Sequence, residues 1–300
     1  MPDEIVRHLM FRGFNYRCRI VENPAARTEP VVVMGGAFQD MYAWRRLEKP
    51  WTEVATVITA DLPGSGMADH LPGRHGFAFL AEALAHLLEQ VVCGPVNLFG
   101  ASYGVPISYL LSQQHPDRVE RLMLLGAAME YPQEGRNGLQ DMADNLIAGK
   151  NAEAYGHASV NALMAGPERL VRNRAVVARV LSRVMSSVSP ADTARHLALL
   201  ERLIASERLP DGGITGVPAL CVTGECDEFT TPDHVREVAA TIEHGAFTLI
   251  RETDHLPNLE RPKELSRLVT DYFTDQPLDS LDFLTPIEHP ALDAAVHAVS

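Results

Sequence analysis

Val96-Asn97-Leu98-Phe99-Gly100-Ala101-Ser102-Tyr103-Gly104 decides how this chain is read. A short, mostly apolar run enters Gly-x-Ser-x-Gly, and Ile107, Leu110 and Leu111 follow at helical spacing. A strand that becomes a helix within so few residues leaves no room for side chains beside the serine, so both flanks are glycine. The hydroxyl then stands at the tip of a cramped bend, at the carboxyl end of a strand, where an open parallel sheet carries its reactive groups.

Working outward, Val31 to Met34, Val54 to Ile58, Leu122 to Leu125 and Ala219 to Val222 are further short apolar runs, of the kind buried on both faces of a parallel sheet. Helical segments separate them, the clearest from His75 to Val92, where Phe77, Leu80, Ala81, Leu84, Leu87 and Leu88 recur every three or four residues. Before them, Phe14 to Ile20 alternates apolar with polar residues, which predicts a strand with one wet face in an antiparallel opening. The alternation of strands and helices predicts an α/β fold whose mostly parallel central sheet is flanked by helices. After Glu130 the strand signal stops until Gly216, and helical patterns take over, with Ser189-Pro190 as cap and first residue of one helix. The expected organisation is a core of residues 1–130 and 217–275, an all-helical lid of 131–216, and an acidic, proline-punctuated tail of 276–300 whose packing the sequence leaves open.

A serine hydroxyl is a weak nucleophile at neutral pH and needs a base to take its proton as it attacks. Of the twelve histidines, His255 fits best, because it follows the strand-like run Phe247 to Ile250 on a loop before a final helix, Glu264 to Phe273. His70 and His75 are its rivals. A carboxylate must orient the imidazole, and Val222-Thr223-Gly224-Glu225-Cys226-Asp227 supplies one. Asp227 is the candidate; Glu225 and Glu228 lie too near in sequence to be excluded by spacing, and Glu130 is the topological rival. The oxyanion formed on attack calls for preorganised backbone N–H donors. Tyr103, just after the serine, offers one, and Ala37, beyond Gly35-Gly36, is nominated for the second.

With these residues in place, the sequence resembles the α/β-hydrolase superfamily from about residue 6 to 275. Gly36 to Trp44 is similar to its oxyanion loop, Asp61-Leu62-Pro63-Gly64-Ser65-Gly66 to the loop after the next strand, Gly100 to Gly104 to its nucleophile elbow, Gly224 to Asp227 to its acid turn, and His255 with Glu260 and Pro262 to its histidine loop. The order Ser, Asp, His is the one that fold requires. Gly35 departs from the pattern where members often carry histidine, and Val105 where a glycine often follows the elbow. Within the superfamily, Asp227 to Thr231 and Asp254 to Glu260 are most similar to the hydroxyalkanoyloxyalkanoate synthase type of acyltransferase, which implies acyl groups taken from carrier thioesters.

Composition narrows the partners. With 26 basic against 39 acidic residues the formal charge is −13, which disfavours nucleic acid and anionic membrane surfaces. Met1-Pro2-Asp3-Glu4 lacks the basic flank and apolar run of a secretory signal, and no apolar stretch is long enough to span a bilayer, so a cytoplasmic protein is expected. Cys18, Cys93, Cys221 and Cys226 lack metal-ligand spacing and are read as buried free thiols; neither metal nor cofactor is expected. Against the overall charge, Pro167 to Val184 holds five arginines and one acid. Read as one helix, it sets Arg169, Arg172, Arg179 and Arg183 in a stripe beside Leu170, Val177, Val180, Leu181 and Val184, which would pack on the core. The stripe suits an acidic acyl-carrier protein or the phosphates of acyl-CoA, and equally an ordinary solvated face.

The expected function is acyl transfer through an acyl-enzyme on Ser102, as acyltransferase or thioesterase on a small-molecule acyl thioester. A carboxylesterase or lipase-like hydrolase is the alternative, and a non-catalytic ligand receptor the reading from another class. Lyase or cofactor-free oxygenase chemistry shares the constellation, whereas dehalogenase and epoxide hydrolase chemistry needs a carboxylate in place of Ser102. The acyl acceptor and the oligomeric state, homo-oligomer included, are left open.

Overall fold

The apolar runs line up as one sheet. The structure, a computed structural model, describes residues 4–148 and 152–291. Its strands are β1 (Glu4–Phe11), β2 (Phe14–Val21), β3 (Val31–Met34), β4 (Val57–Asp61), β5 (Val96–Ala101), β6 (Val119–Leu125), β7 (Ile214–Gly224) and β8 (Ile242–Ile250), in spatial order β1-β2-β4-β3-β5-β6-β7-β8. The first two pairings, β1 with β2 and β2 with β4, are antiparallel, and from β4 through β8 every pairing is parallel. The α/β fold expected from the sequence is therefore the fold observed. Successive residues of the central strands feed opposite cores: Leu98, Leu122 and Leu124 face one, Phe99, Met123 and Leu125 the other. Burial on both faces is the reason these strands read as continuous apolar runs instead of alternating.

Helices α1 (Lys49–Thr52), α2 (Phe77–Val91), α3 (Gly104–Gln114), α8 (Pro232–Ala240), α9 (Pro257–Glu260) and α10 (Pro262–Phe273) accompany the sheet, and α4 (Gln133–Ala148), α5 (Ala152–Leu163), α6 (Arg174–Met185) and α7 (Pro190–Ile204) lie between β6 and β7. In that interval the described residues form no strand before Ile214. Helix α7 starts where the sequence places it, with the Ser189 hydroxyl accepting from the Asp192 N–H and Pro190 in the first turn. No helix among the described residues is long and apolar enough to cross a membrane.

Four expectations change. Val54 and Ala55 do not belong to β4, which starts at Val57; their N–H groups bond to the Trp51 carbonyl as α1 ends, and their side chains join the core beneath α10. A short apolar run looks the same in a buried turn as in a buried strand. The β2 face carrying Asn15, Arg17 and Arg19 is wet only at its start: Asn15 is exposed, Arg17 is partly buried and reaches Asp61 at 2.9 Å, and Arg19 is 2% exposed, forked onto Glu48 through two 2.7 Å hydrogen bonds and 3.0 Å from Glu4. Cys93 is exposed, whereas Cys18, Cys221 and Cys226 are buried free thiols.

The fourth concerns the arginines. Residues 167–173 form turns, and α6 begins only at Arg174 after Asn173 adopts a left-handed φ of 57°. Arg169 pairs with Glu228 and Arg172 with Glu252, so both tie this segment to the body of the protein instead of continuing a stripe. Val177 is buried and Leu181 packs against the core, but Leu170, Val180 and Val184 face solvent, at 75%, 46% and 60% exposure. The expected apolar face fails because Leu170 lies outside the helix and the buried stripe of α6 is narrow, running through Val177, Leu181 and Met185 and leaving Val180 and Val184 on its exposed flank. Beyond α10, Leu281, Phe283 and Leu284 are buried, and Leu284 and Glu288 bridge to Ile250 and Phe247. The tail, as far as residue 291, thus covers the open edge of β8, an edge that would otherwise invite pairing with another chain.

Candidate active site

Ser102 sits between β5 and α3 with φ 47°, the left-handed region that a non-glycine residue adopts only under constraint. The constraint is spatial. A Cβ on Gly100 would come within 2.5 Å of Ser108 Oγ and 2.9 Å of the Gly104 carbonyl oxygen, and one on Gly104 would overlap the Met34 carbonyl. Neither glycine has a positive φ. The flanks are glycine for close approach, while the strained conformation falls on the serine itself and turns its Oγ out of the bend.

The histidine loop between β8 and α9 brings His255 to the same place. Its Nε2 lies 2.9 Å from Ser102 Oγ and its Nδ1 2.9 Å from Asp227 Oδ2. A carboxylate only accepts, so Nδ1 carries the proton and Nε2 offers its lone pair to the serine O–H. Asp227 is held tightly: Oδ1 accepts from the N–H groups of Phe229 and Thr230, and Oδ2 from the hydroxyls of Thr223 and Thr230 as well as from His255. Burial by itself would push this carboxyl up, but the facing imidazole and these donors outweigh it and hold it below the usual carboxylate range. For His255, burial works against protonation, yet the Asp227 charge and hydrogen bond prevail and raise it above the ordinary histidine value. Such an arrangement can draw the proton from a serine hydroxyl and stabilise the imidazolium that forms.

The rivals lie elsewhere. Glu225 accepts from the Glu252 N–H, Glu228 pairs with Arg169, and Glu130 pairs with Arg136. His75 stacks with Phe14 and Phe79. Of the two nominated oxyanion donors, Tyr103 N–H and Ala37 N–H, neither has a hydrogen-bond acceptor among the described residues. The Gly35 departure is resolved locally: the Gly36 N–H donates to Gln39 Oε1 at 2.8 Å, and a Cβ on Gly35 would crowd that oxygen. A cavity of about 60 Å³ joins Ala37, Ser102 and His255 to Leu125, Leu163 and Leu256.

Several contributors carried no sequence signal. Gly126, after β6, has φ 71°, and a Cβ there would stand 3.0 Å from His255 Cε1. Arg202 of α7 is 2% exposed and donates to the Tyr103 hydroxyl at 2.8 Å and to the carbonyls of Leu71, Pro72 and His75, pinning the inserted helices over the elbow. Its partners, main-chain oxygens and a phenol, are invisible in a search for complementary charges. Thr223, near the end of β7, and Thr230, in the loop before α8, are equally silent, since a threonine is ordinary in either place.

Two more carboxyls crowd His255. Asp254 accepts from the N–H groups of Ala165 and His255, and Glu260 Oε2 accepts from the Asp254 N–H at 2.7 Å while its Oε1 has no partner. Burial raises Asp254 to about 6 and Glu260 to about 8. Between the ordinary carboxyl range and those values the folded state holds protons that the unfolded state has released, so stability falls as pH rises through this window. Glu260→Gln keeps the acceptor for Asp254 and removes the ionisation. We expect it to flatten the loss of stability between pH 5 and 8 and to leave the protein on the order of 2 kcal/mol more stable than wild type at pH 8. Denaturant melts across that range measure this, and parallel curves for the two proteins would exclude the ionisation of Glu260 as the cause.

Comparison with known proteins agrees with this architecture. The family described as alpha/beta hydrolase fold matches residues 29–262. The (E)-2-((N-methylformamido)methylene)succinate hydrolase of Acinetobacter baylyi is 21% identical over 252 residues, 83% of this chain and 92% of that protein. A pimeloyl-[acyl-carrier protein] methyl ester esterase of Neisseria meningitidis is 25% identical over 236 residues, 76% and 85% of the two chains. Among solved structures, MGS-M2, an alpha/beta hydrolase enzyme from a Medee basin deep-sea metagenome library, superposes with a TM-score of 0.78 at 17% identity, covering 90% of this chain and 98% of its own. Strand order, elbow and family match converge: the chain belongs to the alpha/beta hydrolase fold family and is an enzyme.

Proposed function

We propose that the protein hydrolyses small acyl esters or thioesters through an acyl-enzyme on Ser102. The observation that carries this reading is the unbroken hydrogen-bonded chain Ser102 Oγ, His255, Asp227 at 2.9 Å per link. In the proposed cycle Oγ attacks the acyl carbonyl, His255 Nε2 takes its proton, and the N–H groups of Ala37 and Tyr103 receive the oxyanion. The imidazolium returns the proton to the departing alkoxide or thiolate, and water, activated by the same nitrogen, releases the acid. The inserted helices, residues 131–216, act as the lid that shapes the acyl pocket. Both relatives named above bear hydrolase or esterase names, which favours water as the acceptor.

Transfer to a second acyl substrate is the other reading, favoured by the likeness of Asp227 to Thr231 and Asp254 to Glu260 to the hydroxyalkanoyloxyalkanoate synthase type. Intact-protein mass spectrometry after incubation with a panel of acyl esters and thioesters tests the common intermediate: a mass gain equal to the acyl group is expected in wild type and absent in Ser102→Ala. Labelling in Ser102→Ala would place the nucleophile elsewhere. Free acid as the product identifies hydrolysis, a joined acyl dimer transfer.

For a carrier-borne substrate the docking surface would be α6, where Arg179 and Arg183 are exposed alongside Val176, Val180 and Val184. Two cations beside an apolar strip suit an acidic carrier helix, and one named relative acts on an acyl-carrier-protein ester. Arg179→Glu/Arg183→Glu is expected to raise KM for a carrier-bound acyl group about tenfold relative to the same acyl group on a small ester, a difference of about 1.4 kcal/mol. Equal changes for both substrates would remove the carrier from the proposal.

A further inference from the structure

Asp254, one residue before His255, takes no part in the proposed cycle, yet its side chain is fully buried with both oxygens engaged. Oδ1 accepts from the His255 N–H at 2.7 Å, and Oδ2 from the N–H of Ala165, just past the end of α5. A buried carboxylate is tolerated where donors face it, and here one donor belongs to the histidine loop and the other to the inserted helices. The backbone of Asp254 is fixed from the core side: its N–H is held by Glu260 at 2.7 Å, and its carbonyl lies so close to Gly224 that a Cβ there would overlap it.

Ala165 is two residues from Leu163, and Leu163 is the one residue of the insertion, among those described, that lines the Ser102 cavity. The same peptide segment is gripped again by Arg174, whose Nε and Nη2 donate to the Ala165 carbonyl at 2.9 and 2.6 Å. Farther along, the Arg172 N–H donates to the Glu252 carbonyl at 2.9 Å and the Asn173 amide to that of Glu260 at 3.1 Å, so the start of α6 is secured to the histidine loop independently of Asp254. Releasing Ala165 therefore frees the end of α5 and not the whole insertion. With Leu163 in place the cavity is about 60 Å³, room for roughly four to six water-sized centres at 10–15 Å³ each, which fits a short chain beside the serine.

We infer that Asp254 is a specificity-determining positioning residue: by holding the Ala165 N–H it keeps Leu163 in the wall of the Ser102 cavity and so limits the length of chain that fits beside the scissile bond. This rests on the acyl-enzyme reading above and specifies which substrates that site takes. A carboxylate offers an acceptor oxygen to each N–H, whereas an amide has one oxygen and turns donors toward the other N–H. In Asp254→Asn that oxygen stays with His255, its covalent neighbour, and the Ala165 N–H is left facing an NH₂. The end of α5 then withdraws, Leu163 leaves the wall, and longer chains gain access.

The test is the ratio of kcat/KM for a long against a short chain: p-nitrophenyl octanoate against p-nitrophenyl acetate on the acyl side, and octyl against methyl acetate on the alcohol side. It is measured at pH 8, above the value of about 6 to which burial raises Asp254, so that both carboxylate oxygens accept. A general loss of rate or of folded protein cancels in the ratio. In at least one pair Asp254→Asn is expected to raise the long-to-short ratio about tenfold. Leu163→Ala removes the wall directly and is expected to raise the ratio at least as much in the same pair. Adding Asp254→Asn to Leu163→Ala should then change it less than about twofold, because the two substitutions act through one side chain. An unchanged ratio in Asp254→Asn, or an equal rise in both backgrounds, would overturn the inference. Should Asp254→Asn fail to fold, Arg174→Met releases the same segment from its carbonyl side and is read by the same ratio and the same cycle. If wild type cleaves none of the four esters, the acyl-enzyme reading fails separately, and hydrogen exchange decides the tether. Faster exchange over residues 160–168 in Asp254→Asn, with α6 unchanged, supports it; exchange equal to wild type, or faster over α6 as well, overturns it.

Discussion

Ser102→Ala is expected to lower kcat about 10⁶-fold on any ester or thioester the wild type cleaves, while its melting temperature stays within a few degrees. The magnitude follows from the way the three side chains act together. Without Oγ there is no covalent intermediate, and the imidazole, poised to receive a proton at 2.9 Å, has no donor. In the proposed cycle, what survives is positioning and the two nominated oxyanion donors, which alone accelerate a reaction about 10³ to 10⁴-fold over water. Stability is spared because the serine side chain fills no core and makes one hydrogen bond, and alanine tolerates the φ of 47° about as poorly as serine does. Steady-state kinetics with active-site-purified protein measures the effect. A variant retaining a tenth of the wild-type rate would mean that another residue attacks.

Asp227→Asn is expected to cost about 10⁴ in kcat with a smaller loss of stability, roughly 1 to 2 kcal/mol. The amide oxygen can still accept from the Phe229 and Thr230 N–H groups, so the turn after β7 persists. The amide NH₂ then faces His255 Nδ1 and the hydroxyls of Thr223 and Thr230, which are donors to Oδ2 in wild type. The hydroxyls can rotate and accept. The imidazole can accept at Nδ1 only by moving its proton to Nε2, and that nitrogen then donates toward Ser102 instead of removing its proton. The loss should be a kcat effect with KM nearly unchanged, since Asp227 is buried behind the histidine. Glu130→Gln is the control, because Glu130 is ion-paired with Arg136 and half exposed. Activity retained in Asp227→Asn and lost in Glu130→Gln would reverse the acid assignment.

The residues legible in the sequence are those whose chemistry or geometry leaves a local mark. Gly100 and Gly104 are marked by the tightness of a single bend, Ser102 by lying between them, and His255 and Asp227 by following the last apolar runs. Their supports are not marked. Gly126, Thr230 and Arg202 come from separate elements, and their partners are a ring carbon, a carboxylate and main-chain oxygens brought near only by folding. The arginine segment shows the opposite error. Its periodicity suggested a continuous helix, yet Asn173 breaks it and Glu228 and Glu252 claim two of its cations, facts that depend on which acidic loops lie beside it.

The sequence by itself determined the order of strands and helices and the elbow with Ser102 at its tip, because backbone sterics and burial on two faces act over a few neighbouring residues. Only the tertiary structure decided which carboxylate faces His255, that Asp254 and Glu260 keep protons well above the usual range, and that the tail covers β8. Each of these depends on the distance and solvent access between groups far apart in the chain, quantities that come into existence when the chain closes on itself.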